Sequence, residues 1–540
     1  MKTRFFTFMV LAAVFAGCAK DGVDPTTEKE LVPLTFKSEF VDENKVGDET
    51  KSYLVEQTGE NGTYHIVTWN EYDKIAVIPV GTDGFVKDLT GEDYFTTTDG
   101  GVEATFAGTS VSADEYVGIY PASGDDYFDT KSIIVYKNLN NNQTATEGNL
   151  GVDMIPAITK PTSANEKLYF YNACGLIKFT IPEELSNITK VAFRGGNGEK
   201  LAGRIGIKYE TEYSSISVWV EGTYENQESQ YTLTVSNEDG SPLTPGGTYY
   251  MVSAPSRLEK GFTVAMYGTD GKRYIKSTDK PNEIHRSKVM NLGTLDAQES
   301  TPKYENLYLL SNVSAWQFNY LSPGHSLDPF IFRFGAELKN GDEFKFATAS
   351  GSFENMYKAF EASADPFKKA DARFVSGIDD ATDFNWALSS DTDDAKPYRI
   401  IVDITTGVEK IQINEFNDYD GVWVFGSAAP GGWDIDIAVP MEDKGNHTYE
   451  WTGDLKTGEL KFTLEEGEWF GQWLMAPENG QPLTVGADHD VLYVDLRQYP
   501  ENSQPDHKWS VTEAGNYTIT VNTLTEKMTV VKNEAASDEQ

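Results

Sequence analysis

The side chains of this chain whose types and spacing could do chemistry are aromatics and lysines rather than acids and histidines. Trp433 follows Gly431 and Gly432 in a loop, Trp469 lies in EGEWFGQW, and Lys461 stands between them in GELKF. Side chains alternate across a strand, so Leu460 and Phe462 should face the core while Lys461 points the other way. A sugar ring presents an axial C–H face that packs on a flat aromatic, and a rim of hydroxyls that needs donors. An exposed tryptophan pair with a lysine between them would meet both needs. Trp473, in the same segment, is the substitute platform should Trp469 turn inward. Earlier in the chain the corresponding positions are Trp316, Lys345 and Phe353. In GDEFKF, Phe344 and Phe346 should point in and Lys345 out, and Phe353 is a smaller platform than a tryptophan.

Nothing comparable supports catalysis. His65, His285, His325, His447, His489 and His507 show no metal-ligand spacing. Glu465, Glu466 and Glu468 crowd one acidic loop, whereas a glycosidase pair must flank a bond at about 5–10 Å inside a cleft. Nucleotide-binding and nucleophile-elbow fingerprints are missing from the sequence. The Asp-rich stretches at 378–383 and 391–395 lack the order of a calcium loop. No catalytic residue, metal or cofactor is therefore expected, and the chain reads as a binding protein rather than an enzyme.

The elements that must hold these residues occur twice. One copy runs LYLL from Leu307, Trp316, FRF at 332–334, GDEFKF at 341–346 and DFNW ending at Trp386. The other runs VWVF from Val422, Trp433, YEW at 449–451, GELKF at 458–462 and DHKW ending at Trp509. Both close on an alternating run, YRIIVDIT at 398–405 and YTITVNTL at 517–524. A unit of about 115 residues repeated with fixed landmarks means two similar small domains in series. Trp386, Trp423, Trp451 and Trp509 lie in strand-like runs and are expected in the cores. Short apolar runs punctuated by Gly, Asn and Asp also fill residues 34–297. The whole therefore reads as all-β, a tandem of about four antiparallel β-sandwich domains. A net charge of −39 repels phosphate backbones and argues against nucleic acid as a partner.

Two cysteines occur, Cys18 and Cys174. Lys2 and Arg4 precede an apolar stretch from Phe5 to Ala16 that is too short to span a bilayer and reads as a removable signal. Phe15-Ala16-Gly17-Cys18 resembles the lipobox of bacterial lipoproteins, which implies that Cys18 is the lipidated first residue of the mature chain. Cys174, inside YNACGLIKF, reads as a small buried hydrophobe. The polar segment that follows Cys18 is a tether. Its Lys20, Asp21 and Asp24 resemble the signal that sends lipoproteins of Bacteroides-type bacteria to the outer face.

Over 34–297 the order of short motifs resembles the fimbrillin-like family. These are W-x-x-x-D-x-I-x-V at 69–77, ATFAG at 104–108, YVGIYPA at 116–122, YNACGLIKFTI at 171–181, GGTYY at 246–250 and RSKVMNLGTL at 286–295. Stalk subunits of that family are cut by a trypsin-like protease, and here there is no arginine between Arg4 and Arg194. A tip or accessory adhesin is the role this resemblance leaves open. Over 302–532 the repeats resemble the SusE/SusF-type outer-membrane starch-binding lipoproteins, most closely at 426–469 and 507–531. Trp433, Lys461 and Trp469 follow that family's aromatic arc and basic donor. The two resemblances together imply a lipid-anchored outer-membrane protein facing the cell exterior. Its partners would be a starch-like oligo- or polysaccharide and other surface glycan-uptake or pilus proteins. The expected organisation is a signal peptide at 1–17, a lipidated cysteine and tether at 18–33, and fimbrillin-like sandwiches at 34–160 and 161–298. SusE/SusF-like modules at 299–417 and 418–533 follow, with a disordered tail at 534–540.

Overall fold

The computed structural model describes residues 31–41, 55–59, 62–66, 68–81, 86–89, 91–129, 131–150, 155–210, 215–222, 229–378, 380–499 and 504–534. Cys18, the signal segment and most of the tether lie outside the described residues. Among those described, every element is a β-strand or a three-residue 3-10 turn, so the all-β expectation holds. None of the described helices is long and apolar enough to cross a membrane.

Alternation explains the first strand. In Leu31–Phe40, Phe36, Ser38 and Phe40 are buried while Thr35 and Lys37 are exposed. This strand pairs antiparallel with Ala104–Val111 and parallel with Leu168–Asn172, and seven strands close into a barrel. Trp69 fills its interior, 4.4 Å from the Phe40 ring and 4.9 Å from Phe106, and its indole N–H donates to the Ser38 carbonyl at 3.0 Å.

The boundary expected at 160 does not separate two sandwiches. Leu168–Asn172 belongs to the barrel, Ile134–Leu139 pairs with Gly203–Glu210, and Asn142–Thr144 pairs with Thr232–Ser236. A single core runs from Phe36 to Leu295. The Pro, Ser and Asn residues of 160–167 form the connection between Ala157–Thr159 and Leu168–Asn172, which pair antiparallel. Turn chemistry at a hairpin and linker chemistry between domains draw on the same residue types, and here the hairpin is what was written. Cys174 is buried in this core, and burial pushes its thiol well above the usual range.

The duplicated units have separate cores and the same plan. In the first, Asn306–Ser311, Glu343–Ala349 and Ser352–Ala359 form one sheet against Ile331–Leu338, Lys396–Asp403 and Lys410–Glu415. Phe344, Phe346 and Trp386 lie in its core. In the second, Trp423–Phe425, Gly458–Thr463 and Gln472–Met475 face Thr448–Leu455, Gly515–Asn522 and Lys527–Lys532, with Leu460, Phe462, Trp451 and Trp509 between them. Trp423, expected in the core, is only half-buried.

Buried charge pairs join the units. Arg194 donates to Asp371 at 2.7 Å, to the Ala372 carbonyl at 2.9 Å and to the Glu409 carbonyl at 2.7 Å. Thr232 also donates to Asp371. Arg333 and Arg399 both reach Glu526, at 2.7 and 3.1 Å. Backbones come close at this second junction, where a Cβ on Gly335 would stand 1.8 Å from the Leu524 carbonyl oxygen. Removing one partner of a buried pair strands the other, which costs about 3–5 kcal/mol. Asp371→Ala should therefore lower the stability of the full chain by about that amount in urea denaturation. The double variant Arg194→Met/Asp371→Leu should recover most of the loss. An unchanged midpoint in Asp371→Ala would show that this junction carries no load.

Candidate functional site

In both repeats the lysine of the alternating strand does point away from the core, yet neither reaches open water. Lys461 is buried, and its ammonium donates to Asp506 at 2.8 Å and lies 3.8 Å from the centre of the Trp473 ring. Lys508 donates to the same carboxylate at 2.6 Å. Lys345, also buried, donates to Asp383 at 2.6 Å, and Lys358 reaches the same oxygen at 2.8 Å. The expected free donors are thus each one arm of a Lys–Asp–Lys clasp. Asp383 and Asp506 open the DFNW and DHKW landmarks. Their positions were visible as repeated letters, but their role required seeing the sheet.

The far face of each sheet explains why the lysines are covered. Phe425 stands opposite Lys461 on the neighbouring strand, and Trp473 stands opposite Thr463 on the other side. With Ile435, Met475, Leu492 and Val494 they make a second small apolar cluster. Trp473 has no exposed surface. It is therefore corrected from substitute platform to the ring that roofs Lys461, with its indole N–H donating to the Trp469 carbonyl at 3.3 Å. In the first repeat, Leu310 takes the place of Phe425 and Met356 that of Trp473. These smaller side chains leave a cleft of about 570 Å³ lined by Trp316, Lys345, Phe353, Met356, Lys358 and Asp383. The three residues expected at this site are thus brought together around one cavity.

Trp433 and Trp469 stay on the surface of the second repeat, 39 % and 43 % exposed. Both are braced edge-on against Phe425, with ring centres 5.1 and 5.3 Å away. Their loops approach each other, a Cβ on Gly467 standing 3.9 Å from Asp436, and exposed Ile437 and Phe470 extend the apolar strip. Lys508 lies 5.7 Å from the Trp433 ring centre, and Arg497 is held by Asp495 at 2.8 Å and Glu465 at 2.9 Å. Two rigid aromatic faces beside charged donors can pack an amphipathic ring and hydrogen-bond its edge. Phe353 is likewise exposed, at 44 %, and packs on Phe318 at 5.2 Å. Trp316 is half-buried, and its backbone and that of Ala315 sit at φ of +59° and +51°. Such left-handed positions cost roughly 1–3 kcal/mol for side chains of this kind. The turn is held by Trp316 N–H donating to the Ser311 carbonyl at 2.8 Å.

No family model and no curated protein matches this chain. Among solved structures it is similar to a candidate cell adhesion protein of Bacteroides uniformis, at 11% identity and a TM-score of 0.29 over 51% of this chain and 98% of that one. A candidate cell adhesion protein of Bacteroides ovatus gives 10%, 0.26, 50% and 97% in the same order. SusF of Bacteroides thetaiotaomicron gives 10%, 0.19, 67% and 77%. Overlaps this loose say nothing about function.

Burial pushes the Asp506 carboxyl up, but the hydrogen bonds and charges of Lys461 and Lys508 outweigh it and hold the group below its ordinary range. Asp383 behaves alike under Lys345 and Lys358. A depressed carboxylate adds stability that is present above its unfolded value, about 3.9, and that fades as pH falls through the lower folded value. Asp506→Asn should thus melt below wild type at pH 6, with the gap closing near pH 2–3. A gap that persists unchanged into acid would mean that the carboxylate charge is not what holds the lysines.

Proposed function

We propose that the chain captures oligo- or polysaccharide at the bacterial surface through its two C-terminal modules, without chemistry. The observation that carries this reading is the exposed Trp433–Trp469 pair, fixed against Phe425 beside the Lys508–Asp506–Lys461 clasp. Surface residues that a soluble protein would gain by making polar are instead wide, rigid and apolar, and rimmed by donors. The cleft of the first module supplies a second aromatic–lysine site on Trp316, Phe353, Lys345 and Lys358. Two modest sites on one chain favour polymers, because the second contact is made at high effective concentration. A starch-like glucan is the ligand of choice from the family resemblance, and Cys18, if lipidated, would hold both sites at the outer membrane.

The test is affinity electrophoresis of the full chain through gels containing α- or β-glucans. Amylopectin should retard the wild type. Trp433→Ala and Trp469→Ala should each weaken apparent affinity by about tenfold, about 1.4 kcal/mol, while Trp316→Ala should reveal the share of the first module. Equal mobility in every gel would defeat the proposal. Retardation that survives the Trp433/Trp469 double substitution and Trp316→Ala together would place the site elsewhere.

A further inference from the structure

Away from the aromatic sites, the junction between the N-terminal unit and the first module encloses a cleft of about 420 Å³. Lys190, Tyr267 and Arg273 line it from one side, and Asp328, Asp403 and Lys410 from the other. The Tyr267 ring carries two cations, the Lys190 ammonium at 3.7 Å and the Arg273 guanidinium at 4.3 Å from its centre. Both carboxylates are engaged by near neighbours. Asp328 accepts from Arg273 at 2.6 Å and from the Phe330 backbone N–H at 3.3 Å. Asp403 accepts from the Thr405 backbone N–H at 2.9 Å and from the Thr405 hydroxyl at 2.5 Å. Lys190 and Lys410 are left without an ion pair or side-chain hydrogen bond to any described residue, although both line the cleft.

Asp403 and Asp328 attract the Lys190 ammonium without forming an ion pair with it, while Lys410 repels it. Three cations against two carboxylates leave this cleft one positive charge in excess. We infer that it is an anion site, in which Lys190 and Lys410 grip a small oxyanion (a carboxylate, sulfate or phosphate group) from the two sides of the junction. Such a ligand supplies the acceptors that both ammonium groups lack, and its binding would clasp the N-terminal unit to the first module. The cleft has room for a sugar acid or sugar ester as well as for a free inorganic ion. Burial, with the charge of Lys410 adding to it, pushes the Lys190 ammonium down to about 7. Of the other groups facing it, Arg273 stays charged, burial holds Tyr267 protonated far above neutrality, and Asp403 and Lys410 complete the set with Asp328. Sulfate, which does not titrate in this range, should therefore bind more tightly at pH 6 than at pH 8.5.

Isothermal titration calorimetry of the full chain with sodium sulfate, sodium phosphate and sodium glucuronate, at ionic strength held constant with chloride, tests this. One saturable site is expected for at least one anion. Lys190→Met and Lys410→Met should each weaken it tenfold or more, and the exposed-lysine control Lys280→Met should leave it unchanged. Binding of glucuronate alone would identify a sugar acid, and binding of sulfate or phosphate a free oxyanion or its ester. Because each methionine removes an unpaired charge, both variants should melt no lower than wild type without ligand. Absence of saturable heat with all three anions, or wild-type affinity in both folded variants, would overturn the inference.

Discussion

A lysine placed on the far face of a core sheet must either reach water or be given a counter-charge. Both C-terminal modules solve this with an aspartate that stands three residues before a core tryptophan. Trp386 and Trp509 anchor the DFNW and DHKW segments in their cores, which places Asp383 and Asp506 over Lys345 and Lys461. The packing of one side chain thus sets the electrostatics of another on the opposite face. The same constraint governs the junctions, where Arg194 and Arg333 are buried only because Asp371 and Glu526 meet them. An isolated cation at any of these places would have to leave the interior or lose its charge.

Duplication makes the consequence for the site plain. With the clasp kept, the modules differ mainly in the size of the side chains beside it. Phe425 and Trp473 fill the far face of the second module and leave Trp433 and Trp469 as its exposed rings. Leu310 and Met356 leave that volume open in the first, and the rings of Trp316 and Phe353 border a cleft instead. One module therefore presents a surface strip and the other a hollow. Under the proposed glycan capture they would meet different stretches of a ligand, so the pair would be more than two copies of one site.

Much of this was legible before the fold was known. Alternation in GELKF and GDEFKF placed Leu460, Phe462, Phe344 and Phe346 inward and both lysines on the opposite face, as found. What alternation cannot say is whether the opposite face is wet. It tells sides apart, and the second apolar layer over Lys461 comes from the 431–437 and 492–496 segments, which are distant in sequence. Trp473 was unreadable for the same reason, since its burial depends on Phe425 and Val494 from other strands of the sheet. The boundary at 160 failed differently. A segment rich in Pro, Ser and Asn carries no sign of whether the strands it joins will pair, and parallel pairing of Leu168–Asn172 with Leu31–Phe40 spans more than a hundred residues of chain.

The acidity of the chain gains a structural meaning from these contacts. A net charge of −39 is spread over a surface whose cations are mostly committed, in clasps, in junction pairs and over aromatic rings. Acidic residues on the outside are solvated cheaply, and their mutual repulsion opposes the approach of like-charged surfaces. Positive charge that is left uncommitted inside such a field is correspondingly rare. In the cleft of Lys190 and Lys410, three cations face Asp328 and Asp403, which leaves one positive charge in excess. The proposed glycan platform and the proposed anion cleft are then compatible on one molecule. The first would work by shape and apolar contact, indifferent to the field, while the second would work against it and select its ligand by charge.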